Sequence, residues 1–252
     1  MPPRRRNAEV EVDAKEAVDL ATAQSENVFL FVPNLIGNSC YTRIILAGLS
    51  LHFMSYHPIY CTIAYCVSCL LDAVDGQAAR ALGQTSKFGA VLDMVTDRCT
   101  TSCLLCYLSS AYPDYALGFQ FLIALDFSSH YMHMYSSLVT GSRSHKLVTS
   151  EVSNILWWYY NDPHTLFVVC AGNELFFVSL YLMKWTAAPI GLPSLLSSLT
   201  YAQLFALLSF PVCLGKNVVN VVQLWKASKI LVGVDLAERA KARKDNLKAG
   251  KS

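Results

Sequence analysis

Four aspartates fall in the stretch LLDAVDGQAARALGQTSKFGAVLDMVTDRC, residues 70–99. Asp72, Asp75, Gly76, Ala79 and Arg80 follow one another at intervals of 3, 1, 3 and 1 residues, so on a helix they share a face. Gly89, Asp93 and Asp97 recur every four residues and share a face of a second helix. A short polar turn containing Gly83 joins the two, which lets them pack antiparallel and brings the carboxylates together. Like charges gathered in this way repel unless cations lie among them. An all-oxygen ligand set selects hard divalent ions, Mg²⁺ or Mn²⁺, and two such ions can clamp a phosphate chain and stabilise its leaving oxygen. Gly76, Ala79 and Gly89 leave a trough where a base or pyrophosphate can approach the backbone. Arg80 can pair with a phosphate or with one of the aspartates. A merely acidic, solvated loop has no reason to keep these residues in helical register.

The elements that must position these side chains follow from composition. Of 252 residues, 54% are hydrophobic and only 15% charged, against about 25% charged in a soluble domain. Apolar segments lie at 28–55, 58–80, 88–112, 116–139, 163–187 and 194–222, each long enough for a helix across a bilayer. Pro33, Asn34 and Gly37 interrupt the first, so residues 26–32 are expected to lie at the interface and the span proper to follow Gly37. The expected fold is an all-α integral membrane protein with six transmembrane helices and an N-terminal interfacial segment. Its parts are a polar tail (1–27), a six-span membrane domain (28–225) and a basic tail (226–252) that forms a charged helix or coil.

Arg4, Arg5 and Arg6 precede the first span; Arg80 and Lys87 lie between spans two and three, Arg143 and Lys146 between four and five, and Lys226 to Lys244 after the sixth. Positive connections alternate with neutral ones, which places both termini and the carboxylates on the cytosolic side. The N-terminus lacks the apolar region of a signal peptide, so the first apolar segment is expected to act as the targeting signal. Trp157, Trp158, Tyr159 and Tyr160 read as an interfacial aromatic belt. A net charge of +2 argues against nucleic acid as a partner. The nine cysteines sit mostly inside apolar segments and read as small packing residues, not as a disulfide framework.

The pattern D-x₂-D-G-x₂-A-R-x₈-G-x₃-D-x₃-D resembles the signature of the CDP-alcohol phosphatidyltransferase family, with Asp72, Asp75, Gly76, Ala79, Arg80, Gly89, Asp93 and Asp97 filling every fixed position. FLFVPNLIG, GSRSHK and CAGNELF extend the resemblance over roughly residues 26–240, toward the eukaryotic members that use myo-inositol as acceptor. Where the family runs directly from PNLIG to Tyr-x-Arg, Asn38, Ser39 and Cys40 intervene here before Tyr41 and Arg43.

The resemblance implies a divalent-metal-dependent transfer of the phosphatidyl group of CDP-diacylglycerol to an alcohol, with release of CMP. It makes Asp72, Asp75 and Asp93 metal ligands, with two ions expected, and Asp97 the general base, itself able to touch one metal. Gly76, Ala79, Arg80, Gly89 and Asn34 are expected at the CDP-diacylglycerol. The acceptor site is expected among Arg98, Asp126, His130, His133, Ser144, His145 and Lys146. Of these, Asp126, His130 and His133 share a helical face that suits a polyol, and would equally serve as plain contacts between helices. Asn173 and Glu174 read as structural hydrogen-bonding residues. Family likeness also implies a homodimer among membrane lipids in the endoplasmic reticulum.

Two other functions fit parts of the pattern. A sister enzyme of the family would use glycerol phosphate, serine, choline or ethanolamine. A cation transporter or channel would also keep carboxylates within the membrane, but it commonly carries internal repeats, and none is visible.

Overall fold

The start of each helix is set by local chemistry. In the computed structural model, residues 35–81, 87–140, 162–186 and 199–249 are described. They form helices α1 (Leu35–Phe53), α2 (Pro58–Ala81), α3 (Lys87–Ala111), α4 (Ala116–Val139), α5 (Pro163–Met183) and α6 (Tyr201–Ala249), with a 3₁₀ turn at Pro113–Tyr115. No β-strand occurs among the described residues. Pro58 and Pro163 stand at the first helical position, where the missing N–H costs nothing. Asp162 caps α5: its carboxylate accepts from the Thr165 hydroxyl at 2.6 Å and from the amides of Thr165 and His164 at 3.1 and 3.2 Å. These bonds hold the Asp162 carboxyl below the usual carboxylate range. At the head of α6 the Thr200 hydroxyl accepts from the Gln203 amide at 3.2 Å and the Gln203 side chain accepts from the Thr200 amide at 2.9 Å, a reciprocal cap.

The helix limits follow the apolar segments closely, except that α1 starts at Leu35 and runs through Gly37, where a break was expected. The sixth differs: the helix runs unbroken through residue 225 to Ala249. Between Val234 and Ala249 the chain has no Gly or Pro and is rich in Ala, Lys, Arg and Leu, all strong helix formers. The helix therefore continues through the described part of the basic tail, where the side chains of residues 235–247 are exposed.

The helices pack chiefly as α1 on α2, α5 on α6 and α4 on α6, with α3 reaching α4, α1 and α5. One close approach depends on a missing side chain. A Cβ on Gly172 of α5 would lie 2.6 Å from Cγ1 of Val212 on α6. Gly172→Ala is expected to force the two helices apart and to cost about 1–3 kcal/mol, as overpacking does. Thermal unfolding of the detergent-solubilised protein measures it; an unchanged midpoint would mean that α6 yields freely.

The distribution of side chains is inverted relative to a soluble protein. Large apolar residues point outward, Leu117 at 79% and Leu207 at 65% exposure among them. Arg43, Asp126, Ser129, His133, Asn173, Lys216, Asn220 and Gln223 are buried. Burying charge while exposing leucine is favourable only when the surround is as apolar as the side chains facing it. An apolar cluster of Cys61, Tyr65, Leu104, Leu108, Phe177 and Tyr181 fills the middle of the bundle. By length and composition α5, from His164 to Met183, and α6, from Tyr201 to Leu247, can each cross a membrane.

Candidate active site

Asp72 lies on α2, Asp93 and Asp97 on α3. One carboxylate oxygen of each falls within 4.8 Å of the others. Residues more than twenty positions apart, on two helices, thus come together in one cluster.

Arg43 of α1, 2% exposed, points its guanidinium into this cluster. Its Nη1 donates to Asp93 and forms an ion pair with Asp72 at 2.7 Å, and its Nη2 donates to Asp97 at 2.5 Å. The Arg43 carbonyl accepts from the Ser68 hydroxyl at 3.3 Å, one turn before Asp72, which fixes α1 against α2. A planar guanidinium with a fork of donors is suited to several carboxylates at once. Sequence reasoning asked for cations among the aspartates but did not place Arg43 there. Intervening residues had displaced it from the family spacing, and only the packing of α1 shows where it points.

The donor set fits a divalent ion. Asp72, Asp93 and Asp97 offer three hard oxygens, and each carboxyl keeps between 29% and 40% of its surface accessible.

Beside this cluster lies a second. Arg98 is 3.7 Å from the outer oxygen of Asp97 through Nη2, and its Nη1 donates to both oxygens of Asp126 on α4, at 2.8 and 2.9 Å. Asp126, 5% exposed, also accepts from Lys216 at 3.2 Å and Asn220 at 3.1 Å, both on α6. Gln223, one turn on, donates to the Ser129 carbonyl at 3.1 Å. A buried carboxylate needs this density of partners to hold its charge. The arrangement ties α3, α4 and α6 together and connects them to Asp97 through Arg98.

Lys216, Asn220 and Gln223 were not singled out from the sequence. The available signal was a lone lysine inside the sixth apolar segment, followed at helical spacing by two amides; a cation at that depth needs an acid.

The remaining expected site residues are distributed as follows. His130 stays beside its own turn, Nδ1 lying 2.8 Å from the Asp126 carbonyl and 3.6 Å from the Asp126 carboxylate. His133 is buried two helical residues after Tyr131, its carbonyl accepting from Ser136 and Ser137. Gly89 begins the α3 face that carries Asp93 and Asp97. Asp75, Gly76, Ala79 and Arg80 belong to the α2 helix, but their side chains lie outside the described residues. Asn34, Ser144, His145 and Lys146 fall outside them altogether, as do the N-terminal tail and the aromatic run at 157–160.

A bundle of helices that buries its charges and gathers carboxylates between two of them defines a class of helical proteins built to hold cations and phosphates beside an apolar surround. Comparison with known proteins specifies the class. A model of the CDP-alcohol phosphatidyltransferase family matches residues 30–190. The CDP-diacylglycerol–inositol 3-phosphatidyltransferase of Schizosaccharomyces pombe is 52% identical over 229 residues, which cover 86% of this chain and 95% of that protein. Its Homo sapiens counterpart is 44% identical over 218 residues, 86% of this chain and 99% of that protein. The Saccharomyces cerevisiae counterpart is 44% identical over 211 residues, 84% and 90% of the two chains. No solved structure matches. The chain belongs to the CDP-alcohol phosphatidyltransferase family.

Proposed function

We propose that this chain makes phosphatidylinositol, transferring the phosphatidyl group of CDP-diacylglycerol to myo-inositol and releasing CMP. The observation that carries the reading is the convergence of Asp72, Asp93 and Asp97 between α2 and α3, in a chain that matches relatives of this activity over nearly its whole length.

Asp72, Asp75 and Asp93 serve as ligands to Mg²⁺ or Mn²⁺, with two ions expected. When bound, the metal neutralises charge on the diphosphate and on the departing CMP. Asp97 is the general base. It removes the proton of one inositol hydroxyl, whose oxygen then bonds to the β-phosphorus as the bond from that phosphorus to the CMP oxygen breaks. A hydroxyl is a poor nucleophile at neutral pH, so a positioned base is required. Arg43 keeps three carboxylates turned toward one point, and Arg98 limits the swing of Asp97.

Gly76, Ala79, Arg80, Gly89 and Asn34 are assigned to the donor. Arg98, Asp126, His130, His133, Ser144, His145 and Lys146 are assigned to the acceptor side; the oxygens of Asp126 already receive three protein donors, so Asp126 acts there through Arg98. We place six spans in the endoplasmic reticulum membrane, with both termini and the site cytosolic, a membrane domain over 28–225 between two tails, and a homodimer as the working unit. The acyl chains of the donor then stay in the bilayer throughout.

Membranes containing the expressed chain, given CDP-diacylglycerol and a labelled acceptor with Mg²⁺ or Mn²⁺, decide the acceptor. Label from myo-inositol is expected in lipid, with one CMP released for each molecule formed. Transfer to glycerol phosphate or serine instead would reject inositol. Gly76→Leu is expected to raise KM for CDP-diacylglycerol several-fold, because bulk enters the trough; an unchanged KM with lost expression would make Gly76 a packing residue.

A further inference from the structure

Glu174 of α5 is a carboxylate held within the bundle by neutral partners. The Tyr65 hydroxyl of α2 donates to it at 2.6 Å, the Thr101 hydroxyl of α3 at 3.1 Å and the neighbouring Asn173 amide at 3.1 Å. Retaining a charge there without a directly bonded cation is costly in structural terms alone. Two further buried polar atoms belong to residues next in sequence to members of this group. Asn173 is 1% exposed and gives its N–H to Glu174, yet its Oδ1 meets no donor among the described residues. Ser102, which follows Thr101 and is 8% exposed, has an Oγ that meets no partner among the described residues. Buried polar atoms are rarely left in this state unless something else satisfies them.

The group adjoins the reacting centre. Thr101, which bonds Glu174, lies one turn along α3 from Asp97. An acceptor whose hydroxyl is to reach Asp97 must present its other hydroxyls to what surrounds that residue.

The geometry points to Asn173 and Glu174 as acceptor-recognising residues, bonding hydroxyls of an uncharged polyol that do not react; this rests on the function proposed above. A hydroxyl both donates and accepts. A carboxylate and an amide oxygen accept from it, and the Ser102 hydroxyl can do either. A carboxylate with three donors keeps about one acceptor position of roughly four. Such a set suits a neutral polyol and repels a phosphorylated acceptor.

The test pairs residue changes with acceptor changes in the purified full-length protein. Steady-state kinetics are measured for wild type, Glu174→Gln and Asn173→Ala with CDP-diacylglycerol, using myo-inositol and its monodeoxy isomers. In wild type, at least one deoxy isomer is expected to lose about tenfold or more in kcat/KM, as loss of a hydrogen bond to a charged group does. In Glu174→Gln that penalty should largely disappear, while KM for myo-inositol rises about tenfold or more and KM for the donor stays unchanged. Tyr65→Phe, which removes one donor but keeps the carboxylate, should leave the deoxy pattern as in wild type. An identical deoxy pattern in wild type and both variants, with only thermal stability lowered, would overturn the assignment. Should Glu174→Gln fail to fold, the pattern in Asn173→Ala decides in the same way. Failure of both to fold while Tyr65→Phe stays active would assign the pair to packing and also overturn it. A wild type that does not use myo-inositol at all would instead reject the proposed function.

Discussion

Asp97→Asn is expected to keep the donor bound while turnover collapses by about 10²–10⁴-fold, the usual effect of losing a general base. Asparagine keeps the shape of the side chain and one oxygen, so Arg43, now 2.5 Å from Asp97, retains an acceptor. It cannot take a proton. CDP-diacylglycerol binding to the purified variant, followed through a Mn²⁺ titration, should match wild type. If Asp97 were only a ligand, donor binding and metal affinity would fall together with kcat, and high Mn²⁺ would restore activity. The contrast matters because Asp93, one turn away, meets the same guanidinium, and Asp93→Asn is expected to show that ligand behaviour.

Asp126→Asn should produce the largest loss of stability. The carboxylate joins three helices through Arg98, Lys216 and Asn220. Asparagine removes the charge and leaves two buried cations without their acid, a change that costs about 3–5 kcal/mol in buried pairs. The thermal midpoint in detergent should fall by many degrees. Adding Lys216→Met should recover part of the loss, since it removes one stranded charge; neighbouring sites couple by about 0.5–3 kcal/mol. An Asp126→Asn protein as stable as wild type would show that water reaches this cluster.

The helices were legible because each long apolar segment becomes one helix, and because Pro58, Pro163 and the Thr200–Gln203 cap stand where helices begin. The carboxylate cluster was legible for a different reason: helical spacing fixes which residues share a face, and like charges at the ends of apolar segments ask for a common cation. Arg43 was not, since no local pattern tells how far along α2 and α3 a third helix packs. Lys216, Asn220 and Gln223 were missed because their partner lies about ninety positions earlier, on α4. Glu174 reads from the sequence as a structural hydrogen-bonding residue, and it does bond Tyr65 and Thr101; that these partners lie on α2 and α3 depends on where α5 crosses them. Residues such as Asp126 and His130 share a face as expected, yet the identity of a partner is a tertiary fact: Asp126 turns to Arg98 and Lys216, and His130 to its own turn.

The carboxylates of α2 and α3 are expected to hold the divalent ion on which transfer depends, a role that Mn²⁺ itself can report. The most direct test is electron paramagnetic resonance of Mn²⁺ added to the purified, chelator-stripped protein, comparing wild type with Asp72→Asn and Asp93→Asn. Wild type should bind Mn²⁺ saturably, with CMP release from CDP-diacylglycerol and inositol rising in step, and each variant should lose both while keeping its helical circular dichroism. Equal Mn²⁺ binding in all three proteins, or full transfer by stripped wild type, would contradict the account.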